Sequence, residues 1–224
     1  MRRKERNMSI VIGVVSQKGG VGKSTCARLI AREYAQAGWD VKIADLDISQ
    51  GTSFDWHLRR LQQQFQPSVA VERFGTIEQA LKGRAYHDLI VMDGAPHSTA
   101  ATLKIVEAST LSVLPTGLSL EDLKPQVLLA HELVKKGIDK RRLVFALCRV
   151  GDSESLQQSA RDYITQAGYN VLSGSLPEKL AYLKAAEEGR ALTETRFSTL
   201  NERAAQMIQG VIDLATKAEK GRAA

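Results

Sequence analysis

The sequence has very few cysteines, and its apolar runs are all short. Only two of its 224 residues are cysteine, Cys26 and Cys148, which excludes a disulfide framework or a cysteine-rich metal site. The longest apolar runs, such as Ile10–Val15 and Leu89–Met92, are far shorter than the roughly 18 residues of a membrane span. No apolar stretch of the signal-peptide type follows the basic N-terminus. These absences predict a cytoplasmic protein without a membrane segment.

Repeats, low-complexity tracts and linkers rich in proline, glycine or serine are also absent. A chain of 224 residues with 43% hydrophobic residues can bury a sizeable core, which excludes global disorder. We therefore expect one domain over residues 8–217, with a basic tail at 1–7 and a C-terminal tail at 218–224. The formal net charge is +6, but half of it lies in Met1–Asn7. The net charge therefore permits an acidic partner such as nucleic acid without requiring one.

Short apolar segments alternate with amphipathic segments along the whole chain. Seven segments have the continuous apolar character of strands that are buried on both faces. They are Ile10–Val15, Val41–Ala44, Val69–Val71, Leu89–Met92, Leu111–Leu114, Leu143–Leu147 and Val171–Leu172. Helices are predicted over Cys26–Ala37, Leu120–Lys136, Ser155–Ala167 and Ser198–Lys217. The alternation predicts an α/β fold, with a mostly parallel twisted sheet of about seven strands and helices on both faces.

The most informative segment is glycine-rich and joins the first predicted strand to the first helix. It reads Lys18-Gly19-Gly20-Val21-Gly22-Lys23-Ser24-Thr25. Glycines let successive backbone N–H groups curl around phosphate oxygens, and the start of the following helix adds partial positive charge. At this spacing Lys23 would contact the β- and γ-phosphates, Ser24 would ligate Mg²⁺, and Thr25 would bond the α-phosphate. The segment therefore predicts a P-loop for a nucleotide with Mg²⁺.

Lys18 distinguishes this loop from an ordinary P-loop, because it stands in the region of the usual first glycine. The segment Lys18–Thr25 resembles the deviant Walker A motif, KGGxGK[ST], of the MinD/ParA group of ATPases. In that group the first lysine reaches across a dimer to the nucleotide of the other subunit. The resemblance implies an ATP-sandwich homodimer in which Lys18 acts in catalysis together with Lys23. The alternative is a local role, in which Lys18 contacts only its own phosphates or solvent.

Two aspartates, Asp45 and Asp47, end the second predicted strand, at the edge where parallel sheets bind ligands. The segment Asp45–Gly51 resembles the D-x-D-P-Q-G segment of the same group, with Ile48-Ser49 in place of the single proline. By that resemblance Asp47 is required for hydrolysis, and Asp45 shapes the same nucleotide-binding region. Physically, Asp47 would hold the attacking water in line with the γ-phosphate. For either aspartate the alternative is a cap on the next helix.

The fourth predicted strand ends in Asp93, which is a Walker B pattern when it occurs behind a P-loop. Asp93 would accept hydrogen bonds from Mg²⁺-bound water, so Ser24 and Asp93 form the predicted metal site. The following Gly94-Ala95-Pro96 would form a turn that senses the γ-phosphate. Family geometry places the adenine pocket near Arg149 and Pro177.

The segment Leu114–Leu123 resembles a stretch that lies near the dimer face in this group. An ordinary local role is also open for it, because Ser119 can cap a helix with Asp122 three residues later. Both roles are compatible.

The chain is most similar to a small ParA-like partition ATPase without an N-terminal helix-turn-helix domain. This resemblance implies an ATP-bound homodimer that binds DNA without sequence preference at the nucleoid. A ParB-like or other cargo-binding protein would stimulate hydrolysis and so segregate a plasmid, a chromosome or other cargo. The final residues, 215–224, lack the bulky apolar face of a membrane-targeting helix, so no membrane partner is expected. Two alternatives are a MinD-like positioning ATPase that acts through a protein or membrane partner without DNA, and a metabolic P-loop enzyme.

Family geometry favours the C-terminal region for DNA binding. The candidate residues are Lys179, Lys184, Arg190, Arg196 and Arg203. Acidic residues are equally numerous in the same region, so these side chains could instead form solvated ion pairs of little energetic value. DNA binding therefore requires that the folded chain segregate the basic residues onto one surface.

Overall fold

The structure is a computed structural model that describes residues 9–96 and 99–223. Its strands are β1 Ile10–Val14, β2 Val41–Asp45, β3 Ala70–Arg73, β4 Leu89–Asp93, β5 Leu111–Thr116, β6 Leu143–Val150 and β7 Asn170–Pro177. They form one sheet with the order β3-β2-β4-β1-β5-β6-β7, and every pair of neighbours is parallel. This confirms the predicted α/β fold, with a sheet that is parallel throughout.

Helices cover both faces of the sheet. They are α1 Lys23–Gln36, α2 Thr52–Gln62, α3 Ile77–Leu81, α4 Thr99–Ala108, α5 Leu120–Lys135, α6 Glu154–Gln166, α7 Leu180–Glu187 and α8 Ser198–Ala223. One apolar core lies beneath α1, α2 and α8 and includes Leu29, Trp56 and Met207. The other lies beneath α4, α5 and α6 and includes Phe145 and Ile164. The central strands β1, β2, β4 and β5 are buried on both sides because each face has its own helix layer, whereas the edge strand β3 is largely exposed.

The boundaries differ from the sequence prediction mainly where a strand or helix carries polar residues. β7 extends to Pro177 although only Val171–Leu172 is continuously apolar, because backbone pairing with β6 holds the rest of it in place. α1 begins three residues before the predicted Cys26, at Lys23 and directly after Gly22, so the end of the glycine-rich segment is already helical. The helix predicted to end at Lys217 continues to Ala223, so the segment predicted as a C-terminal tail is helical that far. The predicted basic tail at 1–7 lies outside the described residues.

The register of the central strands brings the chemistry-bearing segments to one edge of the sheet. Asp45 is the register partner of Asp93 on neighbouring strands, and Asp93 is also paired with Val14 of β1. The glycine-rich loop leaves β1 only four residues after Val14. The loop and both aspartates therefore meet at the carboxyl edge, where open α/β sheets bind ligands. In the described parts of the chain, no helix is both long enough and apolar enough to cross a membrane.

Candidate nucleotide-binding site

The glycine-rich loop ends in a backbone conformation that favours glycine. Gly22 precedes α1 with φ of 101° and ψ of 19°, in the left-handed region. A Cβ atom at this position would lie only 3.2 Å from the Cβ of Cys148 on β6. The chain can therefore turn directly into α1 at Lys23. The N–H groups of the first helical turn and the positive end of the helix dipole then lie at the loop.

Lys23 lies across the inside of this loop. Its Nζ donates a hydrogen bond to the backbone carbonyl oxygen of Lys18 at 3.0 Å, and the residue is buried. Burial lowers the pKa of Lys23, while the negative charges of Asp93 and Asp47 oppose that decrease. A cation held in this position is ready to exchange a carbonyl partner for a phosphate oxygen.

A cavity of about 370 Å³ lies against the loop, which is a size suited to a small-molecule ligand. Its lining brings together most of the residues predicted from the sequence. These are Gly19, Gly20, Gly22, Lys23, Ser24, Thr25, Asp47 and Arg149. Val21 is buried and borders a neighbouring cavity instead. The cavity therefore combines the backbone of the glycine-rich loop with two buried cations, Lys23 and Arg28, as a phosphate site requires.

Asp93 is buried at the end of β4, is not among the residues that line the cavity, and has one carboxylate oxygen without a hydrogen bond from a described residue. Its Oδ2 accepts a hydrogen bond from the Ser53 hydroxyl at 2.7 Å. Its Oδ1 is buried and has no hydrogen-bond partner among the described residues. Burial raises the pKa of Asp93 to about 6, although the nearby hydroxyl groups of Ser53 and Ser24 oppose the increase. A buried acceptor without a protein donor needs an external partner, and Mg²⁺-bound water suits a carboxylate oxygen.

Asp45 is completely buried and acts as a cap for α2. Its Oδ2 accepts hydrogen bonds from the backbone N–H groups of Ser53 and Phe54, both at 3.1 Å, and its Oδ1 accepts one from Asp47. Burial raises the pKa of Asp45, and these three hydrogen bonds oppose the increase. The helix-cap alternative is therefore observed. Asp45 is not among the residues that line the cavity, and its contact with the nucleotide stays a prediction.

The loop after Asp47 forms a tight turn without the family proline. The Oδ1 of Asp47 accepts hydrogen bonds from the Ser49 hydroxyl at 2.7 Å and from the backbone N–H of Gln50 at 3.2 Å. The backbone N–H of Gly51 donates to the carbonyl oxygen of Asp47 at 2.8 Å. Arg73 of β3 donates to the carbonyl oxygen of Ile48. Ser49 thus supports the turn that places Asp47 at the cavity.

Lys18 lies on the other side of the loop from Lys23. Its Nζ forms an ion pair with Oδ1 of Asp122 in α5 at 2.5 Å. Asp122 is itself bonded to Ser119, whose hydroxyl caps α5 as one of the two sequence interpretations predicted. The pair borders a separate cavity of about 490 Å³. The i, i+3 spacing of Ser119 and Asp122 is visible in the sequence, but no local pattern indicates that Asp122 contacts Lys18.

Arg149 connects the loop to the opposite wall of the cavity. It has a left-handed φ of 54°, and its Nη1 donates to the carbonyl oxygen of Gly20 at 3.1 Å. Its Nε and Nη2 donate to Oε1 of Glu178 at 3.2 and 2.8 Å. Pro177 is buried in β7, and the wall beside it is formed by Leu176, Glu178 and Tyr182. The adenine pocket predicted near Arg149 and Pro177 stays a prediction.

Residues 12–192 match the family model described as the CobQ/CobB/MinD/ParA nucleotide binding domain. The chain belongs to this family. Over 195 residues it is 28% identical to the maintenance of carboxysome distribution protein A of Gloeobacter kilaueensis, covering 86% of this chain and 88% of that protein. It is also 49% identical over 43 residues to an iron-sulfur cluster carrier protein of Clostridium perfringens. That match covers 19% of this chain and 15% of that protein.

Two solved structures show the family fold. The structure of an Asp-to-Ala variant of Cyanothece McdA with ATP has a TM-score of 0.71 at 16% identity, and covers 91% of this chain and 96% of that chain. The structure of the septum site-determining protein MinD of Pyrococcus horikoshii with Mg-ADP has a TM-score of 0.72 at 19% identity, with coverages of 94% and 99%. The MinD/ParA resemblance carried by Lys18–Thr25 is therefore confirmed for family and fold.

A second feature of this MinD/ParA-family chain is a groove of about 700 Å³ beside α7. Four of the five predicted DNA-binding residues line it, namely Lys179, Lys184, Arg190 and Arg196. Arg203 is exposed on α8 and is not among the lining residues. Two acidic residues, Glu188 and Glu194, also line the groove, so its basic residues outnumber its acidic residues two to one. The fold thus brings together basic side chains that are evenly mixed with acidic ones along the sequence.

Proposed function

We propose that the chain is an ATP-dependent partition or positioning switch of the small ParA-like type. Mg²⁺-ATP binding closes a homodimer, and the dimer binds DNA without sequence preference. A ParB-like or other cargo-binding partner stimulates ATP hydrolysis and thereby releases the dimer from DNA. Family membership supports the nucleotide-binding part of the proposal. The arrangement of the two loop lysines and the basic groove support the dimer and DNA parts.

The observation that carries the proposal is the separation of the two loop lysines. Lys23 lines the cavity together with Ser24 and Thr25, whereas Lys18 borders the neighbouring cavity with Asp122. A lysine that served only its own nucleotide would lie in the same cavity as Lys23. The Lys18 side chain is 42% exposed, so it is accessible to a second molecule. The separation therefore favours action across a dimer over the local alternative.

The residues of the cavity would share the work of phosphoryl transfer, which is mainly positioning and charge stabilisation. Bound Mg²⁺ would neutralise charge on the phosphates of ATP. Ser24 and the free oxygen of Asp93 would hold this ion and its hydration water. Lys23 and the N–H groups of the loop would bind the phosphate oxygens. Asp47, held at the cavity by its turn, would orient the attacking water.

Replacing Lys18 with alanine should abolish ATP-dependent dimerisation while the monomer still binds ATP, because Lys23 and the loop remain intact. The measurement is the molar mass in solution, by light scattering or sedimentation, with ATP and with ADP. Lys104→Ala is the matched control. Lys104 is an exposed lysine of α4 that forms an ion pair at 2.9 Å with Glu78 of α3, and neither residue lines the cavity. A Lys18→Ala protein that dimerises with ATP as the wild type does would contradict the sandwich.

DNA binding is proposed for the basic groove. Lys184 and Arg196 are exposed, and neither forms an ion pair with a described residue. The Arg196 guanidinium instead stacks on Phe197, with 4.9 Å between Cζ and the ring centroid. Lys179 is neutralised in part by Asp152 at 2.9 Å. Lys184 and Arg196 are therefore the groove residues best able to bind phosphates.

The double variant Lys184→Glu/Arg196→Glu should weaken ATP-dependent binding to non-specific DNA and lower its salt dependence. Two lost phosphate contacts reduce the slope of log K against log salt by about 2. The measurement is duplex binding over a range of salt concentrations. Lys135→Glu/Lys136→Glu is the charge-matched control, since both lysines are exposed at the end of α5 and lie outside the groove. Equal slopes for both variants would exclude the groove as the DNA surface.

Measurements on the wild-type protein distinguish the proposed function from its two alternatives. Wild-type protein that sediments with liposomes in ATP, but not with DNA, would indicate a positioning ATPase that acts at a membrane. Fast ATP turnover that needs a small-molecule acceptor and no protein partner would indicate a metabolic enzyme. ATP-dependent retention on DNA is the result that the proposal requires.

A further inference from the structure

Ser53 is a completely buried residue in the first turn of α2, and it forms hydrogen bonds with the aspartates that end β2 and β4. Its backbone N–H donates to Oδ2 of Asp45 at 3.1 Å, and its hydroxyl donates to Oδ2 of Asp93 at 2.7 Å. Its side chain is therefore a direct link between α2 and the carboxylate at the end of β4. Nothing in the sequence pattern singles out this serine, which lies eight residues after Asp45.

We propose that Ser53 is a positioning residue for the magnesium site, which acts by fixing the carboxylate of Asp93. The Ser53 hydroxyl occupies Oδ2, so Oδ1 is the oxygen left to accept from the hydration shell of the ion. A carboxylate held at one oxygen cannot rotate freely, and its other oxygen keeps a fixed position. Outer partners of this kind commonly set the affinity of a metal site. This role rests on the proposed function, because it requires that the cavity bind Mg²⁺-ATP.

The hydrogen bonds of Asp45 show how Ser53 itself is held. Asp45 accepts the backbone N–H groups of Ser53 and Phe54 with one oxygen and that of Asp47 with the other. The same carboxylate thus fixes the start of α2 and the start of the turn that carries Asp47. The Ser53 hydroxyl extends this connection to Asp93. Asp47, proposed to orient water, and Asp93, proposed to hold magnesium, are therefore connected through Asp45 and Ser53 by three hydrogen bonds.

The proposal predicts a specific change in magnesium dependence. In Ser53→Ala, the Mg²⁺ concentration for half-maximal binding of a fluorescent ATP analogue should rise about tenfold. Binding of the same analogue in EDTA should match the wild type, since the loop and Lys23 are unchanged. Ser53→Thr, which keeps the hydroxyl group, should restore the wild-type Mg²⁺ midpoint. The thermal unfolding midpoint of each variant is measured in parallel, because the site is fully buried.

Ser112→Ala is the matched control. Ser112 is a completely buried serine on β5, and its hydroxyl has no hydrogen-bond partner among the described residues. An effect of Ser53→Ala that arose only from stability would appear as a lower unfolding temperature with an unchanged Mg²⁺ midpoint, and that result would overturn the proposal. Ser53→Thr with the same raised midpoint as Ser53→Ala, at wild-type stability, would also overturn it.

Failure of the proposed function has a different signature. If the wild-type protein binds the analogue with the same affinity in Mg²⁺ and in EDTA, the proposed magnesium site is contradicted, and the role of Ser53 is contradicted with it. Wild-type protein with a clear Mg²⁺ midpoint that is unchanged in Ser53→Ala would leave the proposed function intact and overturn only the role of Ser53.

Discussion

Lys23→Ala is expected to lower the ATPase rate by at least about 100-fold, because removing one well-placed donor to developing negative charge typically costs a factor of 10²–10³. Lys23 is one of two buried cations that line the cavity, the other being Arg28, and its Nζ lies 3.0 Å from a carbonyl oxygen of the loop itself. Arginine would not replace it well, since a planar guanidinium is larger than the ammonium that this loop encloses. The measurements are phosphate release and equilibrium binding of ATP.

Lys42→Ala is the control for Lys23→Ala. Lys42 is also a buried lysine, but it lies on β2 and pairs with Glu72 at 3.1 Å, outside the cavity. Its loss should change stability without changing the ATPase rate of the folded protein. Equal loss of ATPase activity in the two variants, or full activity in Lys23→Ala, would contradict the assignment of the loop as the phosphate site.

Arg60→Ala is expected to destabilise the fold by about 3–5 kcal/mol, the usual cost of removing one partner from a buried ion pair. The Arg60 side chain is 1% exposed and donates twice to the carboxylate of Glu194, at 2.7 and 3.0 Å. It also donates to the carbonyl oxygens of Pro67 and Gly189. Without it, these carbonyl oxygens lose the Arg60 donor, and Arg32 is the one charged partner that Glu194 keeps among the described residues. For a chain of this length the unfolding temperature should fall by roughly 6–20 °C.

Arg141→Ala provides the comparison for Arg60→Ala. Arg141 also donates repeatedly to one carboxylate, that of Asp139, but its side chain is 84% exposed. Water replaces such a pair readily, so no measurable change in unfolding temperature is expected. Similar unfolding temperatures for Arg60→Ala and wild type would show that the Arg60 network is not important for stability.

The Arg60 network also bears on the site, because it anchors the helix that carries Ser53. α2 starts directly after the Asp47 turn and is bound at its far end to the segment around Glu194 by Arg60. Trp56 of the same helix donates its Nε1 to the carbonyl oxygen of Arg190 at 3.0 Å. A weakened anchor at Arg60 should therefore also disturb the position of Ser53 relative to Asp93.

The parts of the site that the sequence predicted well are contiguous in the chain. Lys18–Thr25 comprise the loop after β1 and the first turn of α1, so their spacing alone places the glycines, Lys23 and Ser24 around a common centre. The position of Asp93 at the end of its strand also follows from the sequence, because Asp93 comes directly after the continuous apolar run Leu89–Met92. Both predictions depend on local geometry, which neighbouring residues largely determine.

Other features depended on contacts between segments that are far apart in the chain. Ser53 meets Asp93 and Lys18 meets Asp122 across 40 and 104 residues, and no local pattern carries that information. Similarly, the sequence counts of acidic and basic residues around α7 balance, but the folded chain directs more of the basic ones into a single groove.

By itself, the sequence determined that this is a parallel α/β protein with a P-loop of the deviant Walker A type, because alternation of segments and loop spacing are properties of neighbouring residues. Only the tertiary structure decided that Asp45 caps α2, that Lys18 lies outside the cavity of Lys23, and that Ser53 holds Asp93. The physical reason is that strand order and register, rather than position in the chain, decide which buried polar groups meet. Each such group must then find a partner wherever the fold places it.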